Sequence, residues 1–171
     1  MGHENTVSGN LNKLKGDENI VAGDKNNVYG NENTALGNEN SVEGSRNFLS
    51  GNTNTVRGSE NRVNGNSNEL TGNKNTVKKD SNKVAGNENF VDGTFNSLIG
   101  DRNKLLGSKN KVKGDENQVK GDENLLSGNK NTVDGDKNAV GGHENVVKGA
   151  ENTVLGNKNA ILNGNRNQVK G

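Results

Sequence analysis

Aliphatic residues recur at every seventh position of this chain, and a polar, glycine-containing stretch separates each from the next. Laid out from Gly2, the sequence gives 23 consecutive heptads, the last starting at Gly156, and one extra residue, Asn163, precedes a twenty-fourth heptad at Gly164. The first position is Gly in 23 units, with Lys79 as the exception, and the fourth is Asn in all 24. The sixth is Val, Leu, Ile or Ala throughout, so residues 1–171 read as a single repeat array without a linker.

A coiled coil is excluded, because it needs two apolar positions per heptad and this pattern offers one. A Gly in nearly every heptad would also penalise a helix by ~1 kcal/mol per copy. As a strand, the segment from Asn to the seventh position points Asn and the aliphatic residue inward, and the preceding Gly and polar residues form a corner. Two heptads close one fourteen-residue coil, so the sequence predicts an all-β parallel solenoid of about twelve coils, on the order of 55 Å long at ~4.8 Å per coil.

The predicted core is thin, with two aliphatic side chains per coil, such as Val21 and Val28. We therefore expect the invariant Asn side chains to stack as amide ladders along the axis and to bond the turn backbone, since a buried unpaired amide costs ~1–3 kcal/mol. The Gly position predicts a positive φ or a tight corner, so Lys79 should mark strain or a differently shaped turn. Asn163 falls just outside a strand, where an added corner residue is tolerated.

Composition alone would suggest disorder, because only 25% of the residues are hydrophobic. The strict periodicity predicts an ordered repeat fold instead. The 22 basic and 21 acidic residues balance, so the sequence predicts no nucleic-acid and no membrane partner. No apolar run approaches the ~18 residues of a membrane span, and there is no Cys. Because Met1 leads straight into the first repeat, we expect an extracellular, apoplastic location if this is a mature secreted chain, and a cytoplasmic one otherwise.

The unit G-x-x-N-x-V-x, at seven residues and two units per coil, resembles the antifreeze and ice recrystallisation inhibition proteins of cold-tolerant grasses. The resemblance runs from "GHENTVS" at 2–8 to "GNRNQVK" at 164–170 and includes the expansion at Asn163. It implies a left-handed β-roll with an Asn ladder and a flat ice-binding sheet. Head domains of bacterial trimeric adhesins also use fourteen-residue coils but lack this Asn, and calcium-binding rolls have a period of nine.

Outward positions five and seven alternate between two faces, which we name the odd face and the even face after the units that supply them. The odd face is free of charge over its first four units, and the even face over three units near its end. The first run, the odd-face patch, is our candidate ice-binding surface: Thr6, Ser8, Ile20, Ala22, Thr34, Leu36, Phe48 and Ser50. The second run, the even-face patch, is a second candidate: Leu125, Ser127, Ala139, Gly141, Thr153 and Leu155.

Neither catalysis nor a metal or cofactor site is predicted. The two histidines, His3 and His143, both lie in "GHEN" corners ten coils apart, ~48 Å at the strand spacing, and no nucleophile, acid–base pair or phosphate loop stands out. The sequence therefore predicts a non-enzymatic ice-binding solenoid with weak recrystallisation inhibition, because Thr occupies position five in only six units. The alternative is a structural or interaction solenoid without ice activity. Open strand edges at both ends predict a tendency to end-to-end self-association.

Overall fold

A computed structural model describes residues 2–171, and they form 24 short strands, each covering positions five to seven of one heptad except β23, which covers positions five and six. The odd-numbered strands are β1 (Thr6–Ser8), β3 (Ile20–Ala22), β5 (Thr34–Leu36), β7 (Phe48–Ser50), β9 (Arg62–Asn64), β11 (Thr76–Lys78), β13 (Phe90–Asp92), β15 (Lys104–Leu106), β17 (Gln118–Lys120), β19 (Thr132–Asp134), β21 (Val146–Lys148) and β23 (Ala160–Ile161). The even-numbered strands are β2 (Lys13–Lys15), β4 (Asn27–Tyr29), β6 (Ser41–Glu43), β8 (Thr55–Arg57), β10 (Glu69–Thr71), β12 (Lys83–Ala85), β14 (Ser97–Ile99), β16 (Lys111–Lys113), β18 (Leu125–Ser127), β20 (Ala139–Gly141), β22 (Thr153–Leu155) and β24 (Gln168–Lys170).

The strands sort into two parallel 12-stranded sheets, one of odd-numbered and one of even-numbered strands, each in sequence order. Each strand pairs with the equivalent strand one coil later, so that Thr6 lies opposite Ile20 and Lys13 opposite Asn27. The prediction of a parallel β-solenoid with about twelve coils and two strands per coil is confirmed. Its left-handedness stays a prediction.

The hydrophobic core is one aliphatic side chain from each strand. It runs without interruption from Val21 to Ile161, and every member is at most 8% exposed. In the first coil the equivalent Val7 is 47% exposed, because it has a neighbouring coil on one side only. A core two side chains wide leaves most of the cohesion to hydrogen bonds.

The fourth-position Asn side chains form the predicted ladders, one along each sheet. In a typical case, Asn75 donates through Nδ2 to the carbonyl oxygen of Gly86 at 2.8 Å and to Oδ1 of Asn61 at 3.0 Å. Its own Oδ1 accepts the backbone N–H of Asn89 at 3.1 Å and the Nδ2 of Asn89 at 3.0 Å. No buried side-chain nitrogen or oxygen in the described part of the chain lacks a partner. Each Asn thus bonds three coils together while satisfying its own amide.

Two corner positions have positive φ. Gly72 has a φ of 124°, and a Cβ placed on it would lie 1.9 Å from the carbonyl oxygen of Gly86 in the next coil, so no side chain fits. The prediction for the Gly position is confirmed. The third position is also left-handed in all 24 units, with φ between 55° and 61°, although it is never Gly. The sequence analysis did not anticipate this, because Glu and Lys are not residues that favour this region.

Lys79, the one residue that replaces the repeated Gly, marks the predicted distortion. It adopts a φ of 70°, far from the values of the glycines. The N–H of Gly93 lies 3.4 Å from the carbonyl oxygen of Lys78, whereas the equivalent bond one coil earlier, from Lys79 to Asn64, is 2.8 Å. A side chain at the corner therefore weakens the contact between two coils.

Asn163 adds its residue in the corner, as predicted. It has a φ of 59°, and β23 is shortened to Ala160–Ile161. The Asn ladder continues past it, since the N–H of Asn167 donates to Oδ1 of Asn152 at 3.0 Å across a spacing of 15 residues. The insertion is absorbed without breaking the stack.

Candidate functional site

The odd-face patch is assembled as the sequence predicts. The first residues of β1, β3, β5 and β7 lie side by side in one column, and the third residues lie in a second column beside it. The first column is Thr6, Ile20, Thr34 and Phe48, and the second is Ser8, Ala22, Leu36 and Ser50. All eight are exposed or partly exposed and none is charged. The columns repeat at the spacing of neighbouring strands, ~4.8 Å.

The patch ends at a cation–π contact that was not predicted from the sequence. The guanidinium of Arg62, in the neighbouring strand β9, lies over the ring of Phe48 with its Cζ 4.8 Å from the ring centroid. Such a cation–π contact at an exposed site contributes ~0.5–1 kcal/mol. The sequence places Arg62 next to Phe48 in the same column, one fourteen-residue coil later, but does not show that its side chain turns over the ring. Ile20 and Thr34 are therefore the centre of the uncharged surface, and Phe48 is its edge.

The even-face patch is also brought together, on the opposite sheet and towards the other end of the rod. Leu125, Ala139 and Thr153 form one column, and Ser127, Gly141 and Leu155 form the other. This surface is uneven: Leu125 is 51% and Leu155 46% exposed, and Cδ2 of Leu155 reaches to 3.0 Å from where a Cβ of Gly141 would be. The odd-face patch has a single aliphatic residue of comparable exposure, Ile20 at 49%.

Charges concentrate on the corners between the sheets. At the third position of the odd-numbered units they alternate in sign through ten coils: Glu32, Arg46, Glu60, Lys74, Glu88, Arg102, Glu116, Lys130, Glu144 and Lys158. Arg46 lies 2.6 Å from Glu60, and its hydrogen bond holds the pKa of that carboxyl below the ordinary value. Arg102 lowers the pKa of Glu116 in the same way. These charges therefore form a ladder with ion pairs along the corner that precedes the odd-numbered strands.

The second corner position forms a further ladder that the sequence analysis missed. The backbone N–H of Asp17 donates to Oδ1 of Asn31 at 2.9 Å, and that of Asp101 to Oδ1 of Asp115 at 2.8 Å. The frequent Asn, Asp and Ser at this position are explained by the acceptor oxygen that each supplies. His143 takes the same role, because its Nδ1 accepts the N–H of Asn129 at 3.1 Å.

Neither the grooves nor the clusters of ionisable side chains in residues 2–171 add another candidate site. A groove of about 550 Å³ follows the polar corner between residues 59 and 102 and touches neither patch. Among residues 2–171 no three His, Cys, Asp or Glu side chains lie close enough together to hold a metal ion. Nor do these residues include a helix that could cross a membrane.

Comparison with known protein families gives a match over most of the chain. A family model described as grass antifreeze beta roll matches residues 1–86 and 65–154. The two matches overlap and together include most of the coils, both of the patches except Leu155, and the whole run of alternating corner charges except Lys158. No curated protein matches the chain significantly.

Proposed function

Because the chain belongs to the grass antifreeze β-roll family, we propose that it binds ice through the odd-face patch and weakly inhibits ice recrystallisation. The observation that carries this proposal is the double column of eight uncharged outward side chains on β1, β3, β5 and β7. A regular array of small hydroxyl and methyl groups, spaced ~4.8 Å between coils and ~6.7 Å along a strand, can order water in an ice-like arrangement.

The scaffold supports such a role because it holds these side chains at constant spacing. Beneath the patch, Asn19 and Asn33 are buried and bonded coil to coil through their amides, at 3.1 Å between Nδ2 of Asn33 and Oδ1 of Asn19. A surface that is already ordered loses little conformational entropy when it meets a crystal. No enzymatic step is part of the proposal.

Weak activity follows from the chemistry of the columns. Thr, which supplies both a methyl and a hydroxyl group, occurs only at Thr6 and Thr34 in the patch, and the larger Ile20, Leu36 and Phe48 lie between or beside them. These bulky groups make the surface less regular. We therefore expect growth of ice grains to be slowed and strong freezing-point depression to be absent.

A splat-cooling recrystallisation assay tests the proposal with a pair of variants matched within one coil. Thr34 and Ser41 occupy the same column position on opposite sheets, and both are partly exposed. Thr34→Lys should let ice grains coarsen towards the buffer control, and so should Ile20→Lys, whereas Ser41→Lys and Lys111→Glu should leave the activity of the original chain. Wild-type protein that lets grains coarsen as fast as buffer would refute ice binding.

The even-face patch is the alternative location on the same rod. Ala139 belongs to it, and Thr132 lies at the matched column position on the odd face of the same coil. If Ala139→Lys abolishes the activity while Thr132→Lys and Thr34→Lys do not, ice binding belongs to the even face.

A structural or protein-interaction role is the competing function. The apolar share of the patch, with Ile20 at 49% exposure beside Leu36 and Phe48, would suit a protein contact as well as ice. End-to-end self-association belongs to this alternative. Sedimentation at high concentration checks it: association without any effect on ice would favour this role, and a monomer would count against it. For the location, the proposal is extracellular if this is a mature secreted chain and cytoplasmic otherwise.

A further inference from the structure

The fold separates charges that balance in the sequence. Of the 22 basic and 21 acidic residues, the outward strand positions of both sheets hold twelve basic and only four acidic ones. The corners hold the remaining ten basic and seventeen acidic residues. A chain with a net charge of +1 therefore folds into a rod with basic faces and acidic corners.

The even face is the more basic of the two. It carries seven basic side chains and two acidic ones, Glu43 and Glu69. Both acids are paired with a basic neighbour, Glu43 with Arg57 at 3.7 Å and Glu69 with Lys83 at 3.0 Å. Beyond Glu69 no acidic residue lies on this face up to β24. Five lysines of the even face form no ion pair within residues 2–171: Lys13, Lys15, Lys111, Lys113 and Lys170.

Four large apolar side chains are exposed on the same face, and each lies directly opposite one of these lysines in the neighbouring strand. Their exposures are 45% for Tyr29, 55% for Ile99, 51% for Leu125 and 46% for Leu155. The register pairs are Lys15 with Tyr29, Ile99 with Lys113, Lys111 with Leu125, and Leu155 with Lys170. Exposed apolar groups and uncompensated ammonium groups thus repeat together along the rod.

The balanced net charge of the sequence predicts no membrane partner, but the charges are separated in the fold. We propose that the even face docks on the surface of an anionic lipid bilayer. Lysine ammonium groups are attracted to acidic headgroups, and the neighbouring aliphatic and tyrosine side chains can enter the headgroup boundary. The four pairs lie near both ends and beyond the middle of the rod on one sheet, so a membrane surface can meet several of them at once. A soluble polyanion would neutralise the lysines but would leave Ile99, Leu125 and Leu155 in water.

Most acidic residues lie on the corners, outside the strands of the even face. Acidic groups there are engaged in ladders along the axis, such as Asp115, which accepts the N–H of Asp101. The odd face lies on the opposite sheet, so a rod docked through its even face leaves the odd-face patch exposed to solvent. The proposal is independent of ice binding, although it uses part of the even-face patch.

Co-sedimentation with vesicles tests docking of the full chain. The protein should pellet with phosphatidylcholine vesicles that contain about one third phosphatidylserine, should stay in solution with pure phosphatidylcholine, and should be released as salt shortens the Debye length. Equal binding to both vesicle types, or to neither, overturns the proposal. Binding to soluble polyglutamate without binding to vesicles also overturns it and identifies a polyanion partner.

Matched double variants test the face. Lys111→Glu with Lys113→Glu should weaken partitioning to the anionic vesicles by roughly tenfold or more. Lys104→Glu with Lys148→Glu makes the same change of net charge on the odd face and should have a clearly smaller effect. Leu125→Ser should weaken binding without changing its salt dependence. Equal losses from the two double variants would overturn a face-specific docking site, and unchanged circular dichroism confirms that each variant is folded.

Discussion

Lys74 and Asn75 are neighbours in the sequence, and each stacks on its equivalents in the coils on either side. They differ in burial, in backbone conformation and in how strictly the side chain is specified. Asn75 is fully buried and its side chain takes part in four hydrogen bonds to three other residues. Lys74 is exposed, and its backbone is in the left-handed region with a φ of 58°. The inward row is Asn in all 24 units, whereas the outward row includes Leu11, Thr53 and Phe95.

The difference shows where a repeat needs a particular side chain. The outward row is held by its backbone, since the N–H of Lys74 donates to the carbonyl oxygen of Ser59 at 3.0 Å whatever side chain follows. The inward row is held by the side chain itself, which must donate twice and accept twice. Of the twenty residues only Asn combines those groups with this length, because Gln would add a methylene to a closely packed core.

The largest expected effect is the loss of one ladder amide. Asn75→Ala leaves the carbonyl of Gly86 and the N–H of Asn89 buried without their partners, at ~1–3 kcal/mol each, so the free energy of unfolding should fall by about 4 kcal/mol. Urea unfolding followed by circular dichroism measures it. The matched control is Lys74→Ala, which should change stability by less than ~0.5 kcal/mol. Similar losses from the two variants would contradict the comparison.

A smaller loss is expected from the aliphatic row. Val77→Ala removes two buried methyl groups and should cost about 2 kcal/mol, because transfer and cavity costs add. Ala35 occupies the same position in another coil, so an alanine is accommodated there. Urea unfolding under the same conditions places this variant between Asn75→Ala and the surface control. A cost exceeding that of Asn75→Ala would make the hydrophobic core, and not the amide ladder, the main source of stability.

A modest gain is expected at the corner. Lys79→Gly relieves a left-handed non-glycine residue and should shorten the 3.4 Å contact between the N–H of Gly93 and the carbonyl oxygen of Lys78. The stability should rise by about 0.5–1 kcal/mol, since the strain removed exceeds the added entropy of the unfolded chain and the loss of the exposed ion pair with Asp92. Thermal unfolding checks the sign. Lys78→Gly, inside strand β11, should destabilise the protein instead.

The smallest effect is expected from the exposed ion pairs. Arg102 keeps the pKa of the Glu116 carboxyl below its ordinary value, so the pair stabilises the folded state above the unfolded pKa of that group, and the contribution is lost as pH falls through its folded pKa. Arg102→Ala should therefore lower the melting temperature slightly at neutral pH and not at all in strong acid. Melting curves across pH, with Lys137→Ala as a control, check this. A difference that persists in acid would exclude the ion pair as its cause.

Several features of the candidate sites followed from the sequence alone. The two-residue alternation of a strand assigns Thr34 and Leu36 outward and Ala35 inward, and the fourteen-residue coil places Thr34 beside Ile20, as the register confirms. Arg62 over Phe48 was missed because its position depends on where a long flexible side chain turns after the register is known. The ladder at the second corner position was missed because Asn, Asp and Ser there are also the residues typical of a turn.

By itself the sequence determined the two-sheet solenoid, its twelve coils, the buried Asn and aliphatic rows and the membership of each face, because a strict period and strand alternation leave one consistent arrangement. Only the tertiary structure decided which charges meet. Contacts between side chains fourteen residues apart decide whether Glu43 and Lys113 have an ion-pair partner. They also decide how Leu155 covers Gly141. Stacking brings those side chains together, and neither the composition nor the balanced net charge of the chain contains that information.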